Sequence, residues 1–306
     1  MSNFQEKVSF IWDVADLLRG SYKRSEYQDV VLPFTILKRF DCVLSDSKQE
    51  VVEKYEQFKD KFENKDHLLK SSTHGLSFYN YSKYDFNTLL QDPEHIEQNI
   101  FHYLDSFSEN VQDIFENFKF KSEIEKLAKA NLLFKLVRKF NESKIDLHPD
   151  VVDNFEMGLI FEELVRKFAE QSNEEAGEHF TPRDVIDLMT VLMFTEVEDE
   201  IKTEHKIKRI YDPACGTGGM LTSAKEYINK EINKNIEIVL YGQEINPKTY
   251  AIAKADMLIK GENSDNIKGP YSTLARDGFE DEKFSYILSN PPYGRKWEND
   301  EDEVRK

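Results

Sequence analysis

Asp212-Pro213-Ala214-Cys215-Gly216-Thr217-Gly218-Gly219 is the stretch on which the fold turns. A short apolar lead, 207–211, precedes it, and a helical pattern, 220–230, follows. Strand, glycine-rich turn and helix in that order form the local unit of a nucleotide-type binding loop. The match to the dinucleotide fingerprint is imperfect. A third glycine is missing after Gly216-x-Gly218, and Gly218 and Gly219 are adjacent. Downstream the pattern alternates. It predicts a strand over 236–242 ending at Gln243-Glu244 and a helix over 247–259. A short connection or strand at 271–274 leads to Arg276-Asp277-Gly278, and a strand over 284–288 runs to Asn290. Such alternation implies a parallel sheet with its ligands at the carboxyl ends of the strands.

Three of those ends carry an acid. Asp212 can accept from a ligand's ammonium or an ordered water, Glu244 from both hydroxyls of a ribose, and Asp277 from an exocyclic adenine amine. Three carboxylates repel a pyrophosphate and suit a neutral or cationic nucleoside. The pattern therefore favours S-adenosylmethionine over NAD. Asn290-Pro291-Pro292-Tyr293 is the more specific motif. Two successive prolines remove two N–H donors. The turn then presents acceptors, the Asn290 side-chain oxygen and the Pro291 carbonyl. Together they can take both hydrogens of an amino group and hold its lone pair toward an electrophilic methyl. Tyr293 can stack on a base face.

Upstream of 150 the sequence is helical in pattern. Apolar points recur at helical spacing through 10–18, 30–44, 51–62 and 96–136. Pro33 is expected in a helix's first turn, and 49–65 as an exposed amphipathic helix. Residues 71–88 break the pattern with a polar, tyrosine-bearing loop, expected to hold at most a short strand pair. With few basic residues beside them, its tyrosines are expected to anchor the loop rather than stack on nucleic acid. A turn at 146–149 separates this region, 1–148, from the remainder, 149–306. A strong helix over 151–168 is followed by a polar linker or mobile loop, 169–177. Then Glu178-His179-Phe180-Thr181-Pro182-Arg183 enters a helix over 185–194, with Thr181 as N-cap and Pro182 at the first helical position.

The 306 residues allow about two domains. No apolar run approaches the roughly 20 residues of a membrane span, and no secretory signal opens the chain. The two cysteines, Cys42 and Cys215, lie far apart. They imply a reducing, cytoplasmic setting and leave no cysteine-based metal site. A net charge of −17 is unlike a chain that grips DNA alone. A local basic surface or a partner must supply that grip.

Phe180-Thr181-Pro182, the glycine stretch 212–219 and Asn290-Pro291-Pro292-Tyr293, in that order behind a helical domain, resemble the modification subunit of type I restriction-modification systems, N6-adenine DNA methyltransferases. The resemblance implies an α/β fold: an all-helical N-terminal domain, then a Rossmann-like S-adenosylmethionine-dependent methyltransferase domain. It places Glu178, His179, Phe180, Thr181, Pro182 and Arg183 at the methionine end of the cofactor. Gly216, Thr217, Gly218 and Gly219 lie beside them with Asp212, Glu244 binds the ribose, and Asp277 binds the adenine. Asn290 to Tyr293 would hold a target adenine flipped out of DNA. A specificity subunit reads the DNA sequence in this family, and a restriction subunit can join. Proteins of this type continue with further strands and helices, so the sequence is expected to be the N-terminal, cofactor-binding portion with an incomplete sheet.

Two rivals stand beside this reading. A glutamine side-chain methyltransferase also uses an Asn-Pro-Pro-Tyr turn, and a truncated, non-catalytic assembly subunit would share the helical domain. Cytosine methylation at the ring carbon needs a nucleophilic cysteine. Cys215 lies in the cofactor loop, so it is expected to be a small packed residue.

Overall fold

The computed structural model describes residues 2–172, 181–203, 207–292, 294 and 297–305. Two compact units divide the chain, 1–172 with 258–261, and 173–257 with 262–306.

The first unit is helical among the described residues. In order come α1 (Ser2–Val14), α2 (Gln28–Leu44), α3 (Lys48–Phe58), α4 (Asp66–Lys70) and α5 (Phe86–Leu89). They are followed by α6 (Ile96–Asp105), α7 (Glu109–Asn117), α8 (Phe120–Lys129), α9 (Leu133–Phe140) and α10 (Asn154–Ser172). Helix α2 is the centre, buried from Val30 to Phe40. The outer helices bury one stripe each, as α9 does with Leu133, Leu136, Val137 and Phe140. Phe34 of α2 meets Phe120 edge-on at 5.0 Å and stacks on Phe140 at 5.4 Å. Pro33 lies inside α2 rather than in its first turn. The helix starts earlier than its apolar run, and burial of its flanks outweighs the missing N–H of Pro33. Helix α3 ends at Phe58, short of the expected 65, because the charged segment beyond it has little apolar surface to bury.

The loop 71–88 holds one antiparallel bridge, Asn80 to Phe107, and no strand pair. Tyr79 is buried, and Tyr81 stacks on Tyr55 with centroids 4.0 Å apart. The tyrosines therefore anchor the loop. Its pin is Asn80, which is 1 % exposed. Asn80 Nδ2 donates to the Tyr103 carbonyl (2.8 Å), while Oδ1 accepts from Lys48 Nζ (2.9 Å) and the Ser82 N–H (2.9 Å). A second pin is the fully buried Arg39. Its guanidinium donates to the carbonyls of Leu147 (2.5 Å) and Val152 (2.7 Å) and to Asn154 Oδ1 (2.6 Å). It thereby fixes the chain that leads into α10. That helix runs to Ser172, through the first residues of the expected linker. The rest of that stretch lies outside the described residues.

The second unit is an α/β layer. Its elements are α11 (Arg183–Thr195), α12 (Glu198–Thr203), β1 (Lys208–Asp212), α13 (Gly219–Tyr227), β2 (Ile238–Gln243), α14 (Pro247–Ile259, to residue 257), β3 (Ile267–Lys268), β4 (Tyr286–Ile287) and α15 (Glu301–Val304). The strands form one parallel sheet in the order β3-β2-β1-β4. Alternation sorts the side chains onto two faces. Ile210, Ile238 and Leu240 face a core with Phe194 of α11, Leu221 of α13 and Met257 of α14. Tyr211 and Tyr241 face the other way and pack with Phe279 and Phe284.

The third strand lies earlier, at Ile267–Lys268, and 271–274 is the short connection, one of its two expected forms, a turn in which the Ala275 N–H reaches the Ser272 carbonyl (3.2 Å). Pro270, lacking an N–H, ends the pairing there. The fourth strand is only Tyr286–Ile287, although Ser285 and Leu288 still donate to Arg209 and Tyr211 of β1. The entry to α11 also shifts. Pro182 occupies the cap position, with φ −53° and ψ 139°. Its carbonyl accepts from Val185 and Ile186. Thr181 sits one residue further out, and its side chain caps nothing.

Candidate active site

In an open parallel sheet a ligand crevice opens where the strand order reverses. Here that point lies between β1, whose sequence neighbour β2 is on one side, and β4 on the other. The chain leaves β1 at Asp212 and leaves β4 through Ser289 and Asn290.

The turn after β1 is shaped by glycine and by a carboxylate. Gly216 and Gly218 adopt φ +56° and +84°, the left-handed region that other residues enter only with strain. The Cys215 N–H donates to the Gln243 carbonyl (2.9 Å), which lays the loop on the end of β2. There Gly242 is needed for space, since a Cβ on it would come within 2.8 Å of Cys215 Sγ. Glu244 then fastens the loop. Its Oε2 accepts from the Gly216 N–H (2.9 Å) and its Oε1 from the Asn246 N–H (2.7 Å). Asn246 in turn uses Oδ1 to accept from the N–H groups of Lys248 and Thr249 at the start of α14. Thr217 is half-buried, and Gly219 opens α13 directly.

Asp212 is 1 % exposed, beneath this loop. Its Oδ1 accepts from the Ala214 N–H (3.0 Å). Burial pushes its carboxyl up to about 7, against the Ala214 N–H and the nearby Ser289 hydroxyl, which favour the charge. The negative Glu244 adds a smaller push in the same direction as burial. The Ser289 hydroxyl is buried beside the Asp212 carboxyl, without a hydrogen bond of standard geometry among the described residues. Cys215 is buried, and burial first, then the charges of Asp212 and Glu244, hold its thiol well above the usual range. A thiol in that state is a poor nucleophile.

Asp277 does not stand at a strand end. It lies in a turn well beyond β3, where its Oδ1 accepts from the Phe279 N–H (2.8 Å). A residue that sequence reasoning passed over brings this turn to the crevice. Gln243, fully buried at the end of β2, accepts through Oε1 from the Gly278 N–H (3.1 Å) and the Tyr211 hydroxyl (2.7 Å). It donates through Nε2 to the Arg276 carbonyl (3.1 Å). The signal was available as a polar side chain closing an otherwise apolar strand. Thr273 Oγ1 adds a tie to the Pro213 carbonyl (2.6 Å).

Across the switch point, Asn290, Pro291 and Pro292 are exposed. Asn290 Nδ2 donates to Thr181 Oγ1 at 3.0 Å, joining the turn after β4 to the segment before α11. Arg183 begins α11. Glu178, His179, Phe180 and Tyr293 lie outside the described residues. The crevice thus brings together the glycine loop, Asp212, Glu244, the Asp277 turn, Asn290 and Thr181. Among the described residues no group of His, Cys, Asp and Glu is arranged to hold a metal ion. No described helix is long and apolar enough to cross a membrane.

Residues 152–306, just over half of the chain, match the family model described as N-6 DNA Methylase, and residues 7–140 match the HsdM N-terminal domain. The chain is 27 % identical over 300 residues to the type I restriction enzyme MjaIX methylase subunit of Methanocaldococcus jannaschii, covering 92 % of this chain and 50 % of that one. It is 23 % identical over 329 residues to the MpnII methylase subunit of Mycoplasma pneumoniae, covering 95 % and 58 %. It spans about half the length of these curated relatives. Its fold is similar to the crystal structure of a type I restriction-modification system methyltransferase subunit from Streptococcus thermophilus. The TM-score is 0.68 at 22 % identity, over 96 % of this chain and 64 % of that one. A helical HsdM-type domain followed by a parallel-sheet unit whose crevice joins the glycine loop to an Asn-Pro-Pro turn places this chain in the N-6 DNA methylase family.

Proposed function

We propose that this chain belongs to a modification subunit that transfers a methyl group from S-adenosylmethionine to the exocyclic amine of a flipped adenine in DNA. It would work in the cytoplasm with a specificity subunit that reads the sequence and a restriction subunit. In this reading residues 149–306 are the methyltransferase portion and 1–148 the helical domain. The observation that carries the proposal is the pairing of Asp212 and Glu244 on one side of the switch point with Asn290 on the other.

The residues present fit the cofactor. A Cβ on Gly216 would project into open space, so the loop is open to an approaching ligand there. The carboxylates of Asp212 and Glu244 stand at neighbouring strand ends, with Asp277 in the turn tied to Gln243, and three acids suit a cationic nucleoside without phosphate. Glu244 would hold the ribose, the Asp277 turn the adenine, and Thr217 to Gly219 with 178–183 the methionine end. When bound, the cofactor supplies an electrophilic methyl group. Asn290 Oδ1 and the Pro291 carbonyl accept the two hydrogens of the target amine and turn its lone pair toward the methyl. Tyr293 stacks on the extruded base. No strong base is needed before attack, and the proton leaves the amine afterwards.

The test uses the full modification polypeptide assembled with its specificity subunit, a cofactor labelled in its methyl group, and both DNA and protein acceptors. Label at adenine N6, lost in Asn290→Ala, is the expected result. Label on a glutamine amide, or no transfer while the cofactor binds, refutes the proposal.

A further inference from the structure

We infer that Thr181 is a positioning residue for Asn290, fixing which end of its amide faces the substrate. This rests on the reading of Asn290 as the acceptor for the target amine. The resemblance places Thr181 at the cofactor, and its hydroxyl also accepts from Asn290 Nδ2 at 3.0 Å across 109 residues of sequence.

The sequence around Asn290 explains why such a partner is needed. An asparagine in a turn ordinarily fixes its own amide, its Oδ1 accepting from the backbone N–H two residues on. Here that position is Pro292, and Pro291 also lacks an N–H. The double proline leaves Oδ1 free of that local donor. It also leaves the amide free to rotate about its last side-chain bond, where preferences are broad. Asn290 is exposed, so packing does not lock the ring of orientations either. With Thr181 Oγ1 accepting from Nδ2, Oδ1 is turned away from Thr181 and left open to a substrate amine. In the reversed rotation the site would offer two N–H donors to an amine that needs acceptors. Thr181 can act this way because it stands outside α11. With Pro182 at the cap, its hydroxyl is not drawn to the helix N-terminus.

The inference predicts a loss in chemistry. In the assembled complex, Thr181→Val keeps the shape and removes the hydroxyl, and Thr181→Ser keeps the hydroxyl. Thr181→Val should lower the single-turnover rate at saturating cofactor by about 10- to 100-fold, the size of a misplaced reacting group. The loss should appear in the rate at saturating cofactor, whatever change calorimetry finds in the cofactor Kd, and Thr181→Ser should recover most of the rate. Added to Asn290→Ala, Thr181→Val should cost nothing further, since the two act as one unit. A raised cofactor Kd with an unchanged saturated rate, or additive losses in the double variant, overturns the inference. A complex that methylates no adenine defeats the functional reading instead. The contact is then judged separately by NMR of a chain carrying 15N-asparagine. The Asn290 side-chain amide resonances should move in Thr181→Val and hold in Thr181→Ser, and no movement overturns the contact.

Discussion

Replacing Asp212 with asparagine should stabilise the protein at alkaline pH and weaken its hold on a cationic ligand. The carboxyl is 1 % exposed and is pushed by burial from its ordinary 3.8 up to about 7. A rise of that size corresponds to about 4 kcal/mol of preference for the neutral acid. The sign follows from linkage. Between pH 4 and 7 the folded chain holds a proton at Asp212 that the unfolded chain has released, so this group lowers stability as pH rises through that window. The penalty is absent below about pH 4 and constant above about pH 7. Asparagine keeps an oxygen for the Ala214 N–H. Urea unfolding should therefore find Asp212→Asn more stable than the parent by about 2–4 kcal/mol at pH 8. The gap should shrink to well under half of that at pH 5. A charge kept at such cost has a use if a cation sits nearby. Calorimetry of the parent should accordingly show S-adenosylmethionine binding tighten from pH 5 to 7, with proton release, and level off above. Asp212→Asn should bind more weakly without that slope. A variant less stable than the parent at pH 8 would refute the burial argument. Unchanged cofactor affinity across pH in both proteins would refute the charge's role in binding.

Three further outcomes test other parts of the molecule. Glu244→Ala removes the acceptor shared by the Gly216 and Asn246 N–H groups. Calorimetry should show cofactor affinity lower by about 100-fold or more, since hydrogen bonds to a charged group contribute roughly 1.5–3 kcal/mol each. Gly242→Ala drives a Cβ to 2.8 Å from Cys215 Sγ and should cost about 1–3 kcal/mol of stability by denaturant titration. Combining it with Cys215→Ala should recover part of that, and Cys215→Ala alone should leave methyl transfer intact. Arg39→Met strips the donors from the carbonyls of Leu147 and Val152 and should destabilise the helical unit by about 3–5 kcal/mol in urea, followed by circular dichroism.

The sequence was most legible where geometry and chemistry coincide. The left-handed glycines, the apolar strands β1 and β2 and the helices behind them were readable because hydrophobic period and glycine position fix them locally. What escaped was set by contacts between distant residues. Strand β3 has two residues, too few to leave a pattern, and its pairing depends on β2. Asp277 was expected at a strand end because acids follow strands in this architecture. It reaches the crevice instead through the side chain of Gln243. The 71–88 loop read correctly as tyrosine-anchored, but the buried Asn80 that pins it was unreadable, because its partners Lys48 and Tyr103 lie on other helices. Thr181 was read as a helix cap from its place before Pro182. The cap went to Pro182 because the helix begins one residue later than its proline suggested.

The same topology explains why motifs far apart in sequence act together. A parallel sheet returns the chain to one edge after every strand, so the residues that end β1, β2 and β4 converge without any local pairing between them. Placing β4 beside β1, rather than beyond β3, sets Ser289 and Asn290 against Asp212 and leaves a crevice where the order reverses. Had the strands run in simple sequence order, Asn290 would leave the sheet past Ile267, on the far side of Glu244 from the glycine loop. Asn290 and the loop would then stand apart with β2 and β3 between them. The strand order, more than any single residue, lets an Asn-Pro-Pro turn serve the glycine loop. Thr181 completes the arrangement because the helix it precedes packs on the same sheet face as α13, the helix which that loop begins.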